Sequence, residues 1–200
     1  MSNVMGQAEV LEEATRTGLC RTSESQLFET MWRALPRDGH VPYRSSFQPE
    51  RAGRLLSNIV LLEINPGASS DGREMTTHIR LVGGALRDLA DLNITGLDYL
   101  DLVPDRDYQA RHLMTCLKQP CAAWSLSPVV YDRGYSSLIE ITNFPLIDKA
   151  TGKHLALVLM IEIRNDLPLR QSTGRPIEMR PAVKKAFIDI GAGLPKAESL

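Results

Sequence analysis

The sequence predicts an α+β chain: a five-stranded antiparallel sheet, a cluster of short helices and flanking helices at the N-terminus. Three observations predict it. Residues 58–64 and 74–82 read as two strands. A run of short helical patterns and one longer helix follows, from Gly84 to Lys118. Three more strand patterns, joined by glycine-marked turns, occupy residues 121–163.

The elements are justified in chain order. Residues 7–19 form an amphipathic helix with Val10, Leu11, Ala14 and Leu19 on one stripe. A second helix follows over Glu24 to Leu35. Ser23 and Gln26 have capping-box spacing, and Phe28, Met31, Trp32 and Leu35 fall at i, i+3, i+4, i+7. Pro36 stops it, because proline has no N–H to donate and disfavours helix in the residue before it. Pro42 to Pro49 is an extended connector, and a helical turn or two follows to Leu56.

Asn58 to Ile64 is apolar almost throughout, as a strand buried on both faces is. In Glu74 to Val82, Met75, Thr77, Ile79 and Leu81 alternate with Thr76, His78, Arg80 and Val82. The chain leaves this strand through Gly83-Gly84, where glycine permits a sharp turn, and Thr95 is a cap ahead of Gly96. Pro104 to Lys118 is the longer helix, carrying Tyr108, His112, Met114 and Leu117. The last strands are Cys121 to Tyr131, Tyr135 to Leu146 and His154 to Ile163, and their turns hold Gly134 and Gly152. Leu155, Leu157 and Leu159 lie on one face of the final strand, and Ala156, Val158 and Met160 on the other. The polar, proline-containing stretch after Arg164 reads as a tail in which Val183 to Ile190 adds one short strand or helix.

Composition narrows the function classes. With 23 basic and 24 acidic residues and a net charge of −1, no electrostatic case exists for nucleic acid. The longest clean apolar run, Leu155 to Ile161, is far short of the ~20 residues that span a bilayer. Three cysteines make no disulfide pattern, and the N-terminus has no basic-then-apolar signal. The expected setting is cytoplasmic. No G-x-S-x-G, P-loop, G-x-G-x-x-G or H-E-x-x-H occurs, so no enzyme template fits and no catalytic residue is assigned.

Three stretches in this order carry a family resemblance: Met31-Trp32-Arg33 with Val41-Pro42, Gln48-Pro49 and Leu55-Leu56; Arg80-Leu81-Val82-Gly83 with Thr95-Gly96; and Phe144-Pro145-Leu146 before the last apolar strand. The chain resembles a PAS domain over about Glu24 to Arg164, and within that superfamily a compact single-domain subfamily of alphaproteobacterial signalling chains. The resemblance implies a PAS-like sheet with the short helices across one face, and a pocket between them or a filled core. Residues 1–23 then form a flanking helix, residues 24–164 the domain and residues 165–200 the tail.

The candidate pocket residues are Arg80, His112, Met114, Trp124, Tyr135, Ile139 and Asn143. The Arg80 fork suits a carboxylate or phosphate, or equally an ion pair with Glu63, Asp88 or Asp91. Trp124 and Tyr135 either line a pocket or cover the sheet as core aromatics. Asn143 and Glu140 are polar positions that strand alternation alone explains. His112, Cys116 and Cys121 read H-x3-C-x4-C, which lacks the fourth ligand and tight spacing of a zinc site, so no metal is assigned. By resemblance His112 lies where haem-binding relatives carry their axial ligand. The reactive-cysteine motif of light-sensing relatives is absent, as Asp91 to Asp101 has no cysteine. No cofactor is favoured.

The sequence-level expectation is a stand-alone sensory or adaptor module that binds a signalling protein, and a small molecule where a pocket exists, as a homodimer. Two alternatives stay open: a small-molecule-processing enzyme on an α+β scaffold, and a structural dimerisation module with a filled core.

Overall fold

The computed structural model describes residues 20–67, 74–90, 93–132, 136–163 and 176–196. The expected helix over residues 7–19 and the candidate Tyr135 lie outside these. Helix α1 runs Ser23–Arg33, and 3-10 segments follow at Arg44–Ser46 and Pro49–Asn58. Strands β1 (Ile59–Pro66) and β2 (Met75–Val82) come next, then helix α2 (Gly84–Ala90), a 3-10 turn at Tyr99–Asp101 and helix α3 (Arg106–Lys118). Strands β3 (Ala122–Tyr131), β4 (Ser136–Ile147) and β5 (His154–Ile163) follow, and then β6 (Pro176–Met179) and β7 (Lys184–Ile188).

One antiparallel sheet has the order β2-β1-β5-β4-β3-β6, and β7 also pairs with β3. The order of elements up to β5 is the expected one. The sheet, however, has seven strands among the described residues where five were expected. Strand β7 lies in the stretch expected to add one short element, whereas β6 lies in the expected tail. Both pair with the outer edge of β3, β7 along Ala122–Leu126 and β6 along Val129–Tyr131. Four residues are too few to show a periodicity, so β6 is specified by the open edge it pairs with and not by its own pattern.

Both faces of the sheet are covered. On one, Leu155, Leu157 and Leu159 pack with Phe28 and Trp32 of α1. Trp32 stacks on Phe144 at 4.8 Å, Phe28 meets the same ring edge-on at 5.6 Å, and the Trp32 indole donates to Pro145 O at 2.9 Å. The expected amphipathic stripe thus caps this chain's own sheet. On the other face, Val60, Leu62, Ile79 and Val158 pack with Leu100 and with Leu113 of α3.

Three local expectations are corrected. Thr22, not the Ser23–Gln26 pair, caps α1: its side chain accepts from Ser25 N, and the Gln26 amide donates to Arg21 O instead. Strand β2 does not keep one alternation. A register shift opposite Leu61 and Leu62 inserts Arg80 as an extra residue, so Ile79 packs on the α3 side and Leu81 on the α1 side. Asp98, not Thr95, caps the 3-10 turn, accepting from Leu100 N.

Asp98 also accepts from Thr77 N and from Thr77 Oγ1, and it pairs with Arg106. It therefore ties β2 to the helical layer. Burial opposes its charge, but these hydrogen bonds from Thr77 and Leu100 and the Arg106 guanidinium hold its carboxyl below the ordinary range. No helix among the described residues is long and apolar enough to cross a membrane.

Candidate functional site

Strand alternation decides what α3 looks down on. The β3–β4 register pairs Ala123 with Asn143 and Ser125 with Ile141, so these four share one face; Ser127, two residues on from Ser125, joins them. Above this floor stands the first half of α3, with Tyr108, Gln109 and His112 on the facing side. The helix starts where Asp105 accepts from Tyr108 N at 2.9 Å, a standard cap. The remaining wall comes from the C-terminal chain, Met179 to Ala182 and Lys185, held to β3 by Arg180 N to Pro128 O and Val183 N to Leu126 O. Tyr99 and Pro104 close one end. The cleft has a volume of about 220 Å3 and opens to solvent.

Its polar groups divide into two sets. Those at the mouth have partners in the chain. Lys185 Nζ donates to Tyr108 Oη at 2.8 Å and lies 4.4 Å from the centre of that ring. Arg180 Nε pairs with Glu178 at 3.1 Å, and Asp105 is engaged at the helix start. Those inside do not: the side chains of Ser125, Ser127, Asn143, Gln109 and His112 make no hydrogen bond to any other described residue. Ser127 is only 6 % exposed. Among the described residues the one fully buried side-chain polar atom without a partner is Ser136 Oγ, so the Ser127 hydroxyl reaches the open space of the cleft.

The His112 ring stacks with Tyr108 (6.1 Å) and with Phe187 of β7 (5.2 Å, planes 10° apart). Burial, and secondarily the Lys185 charge, pull its pKa down to about 4, so it is a neutral imidazole near pH 7. Burial pushes the Tyr99 phenol up to about 12. Among the described residues no group of three or more His, Cys, Asp or Glu side chains is placed to hold a metal. Haem does not fit. The cleft, about 220 Å3, falls below the ~300 Å3 at which pockets for drug-sized ligands begin.

Of the seven candidates from sequence, the structure brings three to the cleft. Asn143 is on its floor and His112 on its wall. Trp124 borders it, but its indole points to the opposite face and donates to Glu140 Oε1 at 2.5 Å. Arg80 lies elsewhere, at the β2 bulge, with its side chain 56 % exposed and paired to Glu63 at 3.1 Å. Met114 packs into the core between α3 and the sheet. Ile139 is buried with Val129 and Tyr131. Sequence reasoning missed Ser125, Ser127, Gln109 and the whole C-terminal wall. The alternation of Ser125 and Ser127 in an otherwise apolar strand was the available signal; nothing local marked residues 179–185 as a wall.

No protein-family model matches the chain, and no curated protein does. Among solved structures, it is similar to that of a fungal LOV domain photoreceptor at 16 % sequence identity. That match covers 70 % of this chain and 95 % of the other, with a TM-score of 0.37.

Proposed function

We propose that the chain is a PAS-type sensory or adaptor module, of the compact alphaproteobacterial kind, that binds a small molecule in the cleft between α3, β3 and the C-terminal strands. The observation that supports this reading is the set of inward hydroxyl, amide and imidazole groups that make no hydrogen bond to another described residue. A filled core would have no use for them. Occupancy would favour one arrangement of α3 and the C-terminal wall over another, and a signalling protein would read the difference. The module makes and breaks no bond on this reading. Ser125 and Ser127 have no hydrogen-bonded base to activate them, and His112 is used as a neutral hydrogen-bonding group. The proposed setting is the cytoplasm and the proposed assembly a homodimer.

Native mass spectrometry of the full-length protein, purified without dialysis, tests the reading. The expected result is a noncovalent small adduct that denaturation removes and that Ser127→Val lacks. The bare chain mass for both proteins would overturn the proposal.

A further inference from the structure

The cleft chemistry also narrows what is bound. Resting on the site reading above, we infer that the ligand is a small, flat, uncharged ring compound with nitrogen and oxygen atoms along its edge, about the size of a nucleobase.

Size sets the first bound. The cleft, about 220 Å3, is smaller than the ~300–1,000 Å3 of pockets that take drug-sized ligands. That is room for one ring system, not for a nucleotide.

Charge sets the second. The inner groups are two hydroxyls, two carboxamides and an imidazole that stays neutral near pH 7. The charged groups of the cleft stand at its mouth: Asp105 accepts from Tyr108 N, Arg180 pairs with Glu178, and Lys185 keeps its charge while donating to the neutral Tyr108 hydroxyl. A carboxylate or ammonium drawn to the floor would lose its hydration with only neutral groups beside it. A neutral ring loses far less.

Hydrogen-bond geometry sets the third. Asn143 and Gln109 each present a donor and an acceptor side by side. This pairing matches the edge of a heterocycle that alternates the two, as carboxamides match the adenine edge. Ser125 and Ser127 serve as either donor or acceptor. Between these polar points lie Ala123 and Ile141 below and Met179 and Pro181 to the side, apolar surfaces suited to a ring face.

Calorimetric titration of the full-length protein decides the matter with defined probes. Nicotinamide, uracil and adenine are the neutral rings; nicotinate and orotate are carboxylate counterparts of the first two. Saturable binding of at least one neutral ring is expected. Its carboxylate counterpart, where one is tested, should bind about tenfold or more weakly, and Asn143→Leu should weaken the neutral ring about tenfold. Asn143→Ser, which keeps a hydrogen-bonding group, and thermal melts of each variant guard against a mere folding defect. Preference for nicotinate or orotate overturns the inference, and so does binding of none of the five. In either case an adduct in native mass spectrometry that depends on Ser127 leaves the site reading standing, and its absence removes that too.

Discussion

Single side chains carry two kinds of weight in this molecule, packing and polar satisfaction. Leu159 is 1 % exposed and sits in the cluster under α1. Leu159→Ala is expected to cost about 2 to 5 kcal/mol, the range for emptying a buried leucine site. Urea unfolding measures it, and a loss under about 0.5 kcal/mol would show that the cluster does not support the sheet. Glu140, equally buried, accepts from Trp124 Nε1, Thr22 N and Thr22 Oγ1, so the start of α1 is pinned to β4 by one carboxylate. His112 links stability to pH. Its folded pKa is about 4 against an ordinary 6.5. Between those values the unfolded chain binds a proton that the folded chain refuses, so stability falls as pH drops from about 6.5 to about 4 and this contribution is level below both. His112→Phe should flatten that part of the stability profile. Urea midpoints at pH 7 and 4.5 that shift equally in both proteins would show that His112 is not the group responsible.

At the scale of elements, the two adjacent glycines after β2 behave oppositely. A Cβ on Gly83 would lie 2.3 Å from Ser57 O and 2.4 Å from Leu56 O, because Gly83 N also donates to Ile59 O at 2.8 Å and draws the two backbones together. Gly84, at the start of α2, has open space around it. Gly83→Ala is therefore expected to destabilise by about 1 to 3 kcal/mol or more, and Gly84→Ala to stabilise by about 0.4 to 1 kcal/mol. Thermal melts of the two variants moving in the same direction would contradict this. The sequence reading had placed a turn at this pair; the requirement is a close approach instead, which depends on residues 26 positions away and leaves no local mark. The same division runs through the fold. Helix α1 was legible because burial on one face writes a period into the residues, and β1 and β5 because burial on both faces leaves an unbroken apolar run. The β2 bulge was not, since one inserted residue leaves the composition of the strand unchanged. In the cleft, Asn143 and His112 stood out as polar groups in apolar settings, whereas Trp124 and Arg80 attracted the same attention and found partners outside it.

The whole molecule is a sheet enclosed on two faces and along one edge, and each cover bears on association. Helix α1 covers its own sheet, which removes the large bare apolar face that would have called for a partner. The C-terminal strands cover the outer edge of β3, leaving the row of backbone groups there paired instead of open to another chain. What still argues for the proposed homodimer is the apolar stripe of Val10, Leu11, Ala14 and Leu19 within residues 1–22, which a twin chain would cover. Light scattering at high concentration is expected to give the full-length chain twice its monomer mass, and deletion of residues 1–22 to lower that value. A monomeric full-length chain would end the dimer proposal, and a truncated chain that stays dimeric would clear the N-terminal segment of any part in it. Ending the chain after residue 164 makes a sharper contrast. It bares the β3 edge and removes one wall of the cleft, so this form should melt at a lower temperature and grow in mass with concentration, as an open strand edge does. If it instead melted with the parent and stayed at constant mass, β6 and β7 would be ornaments on a sheet that closes without them.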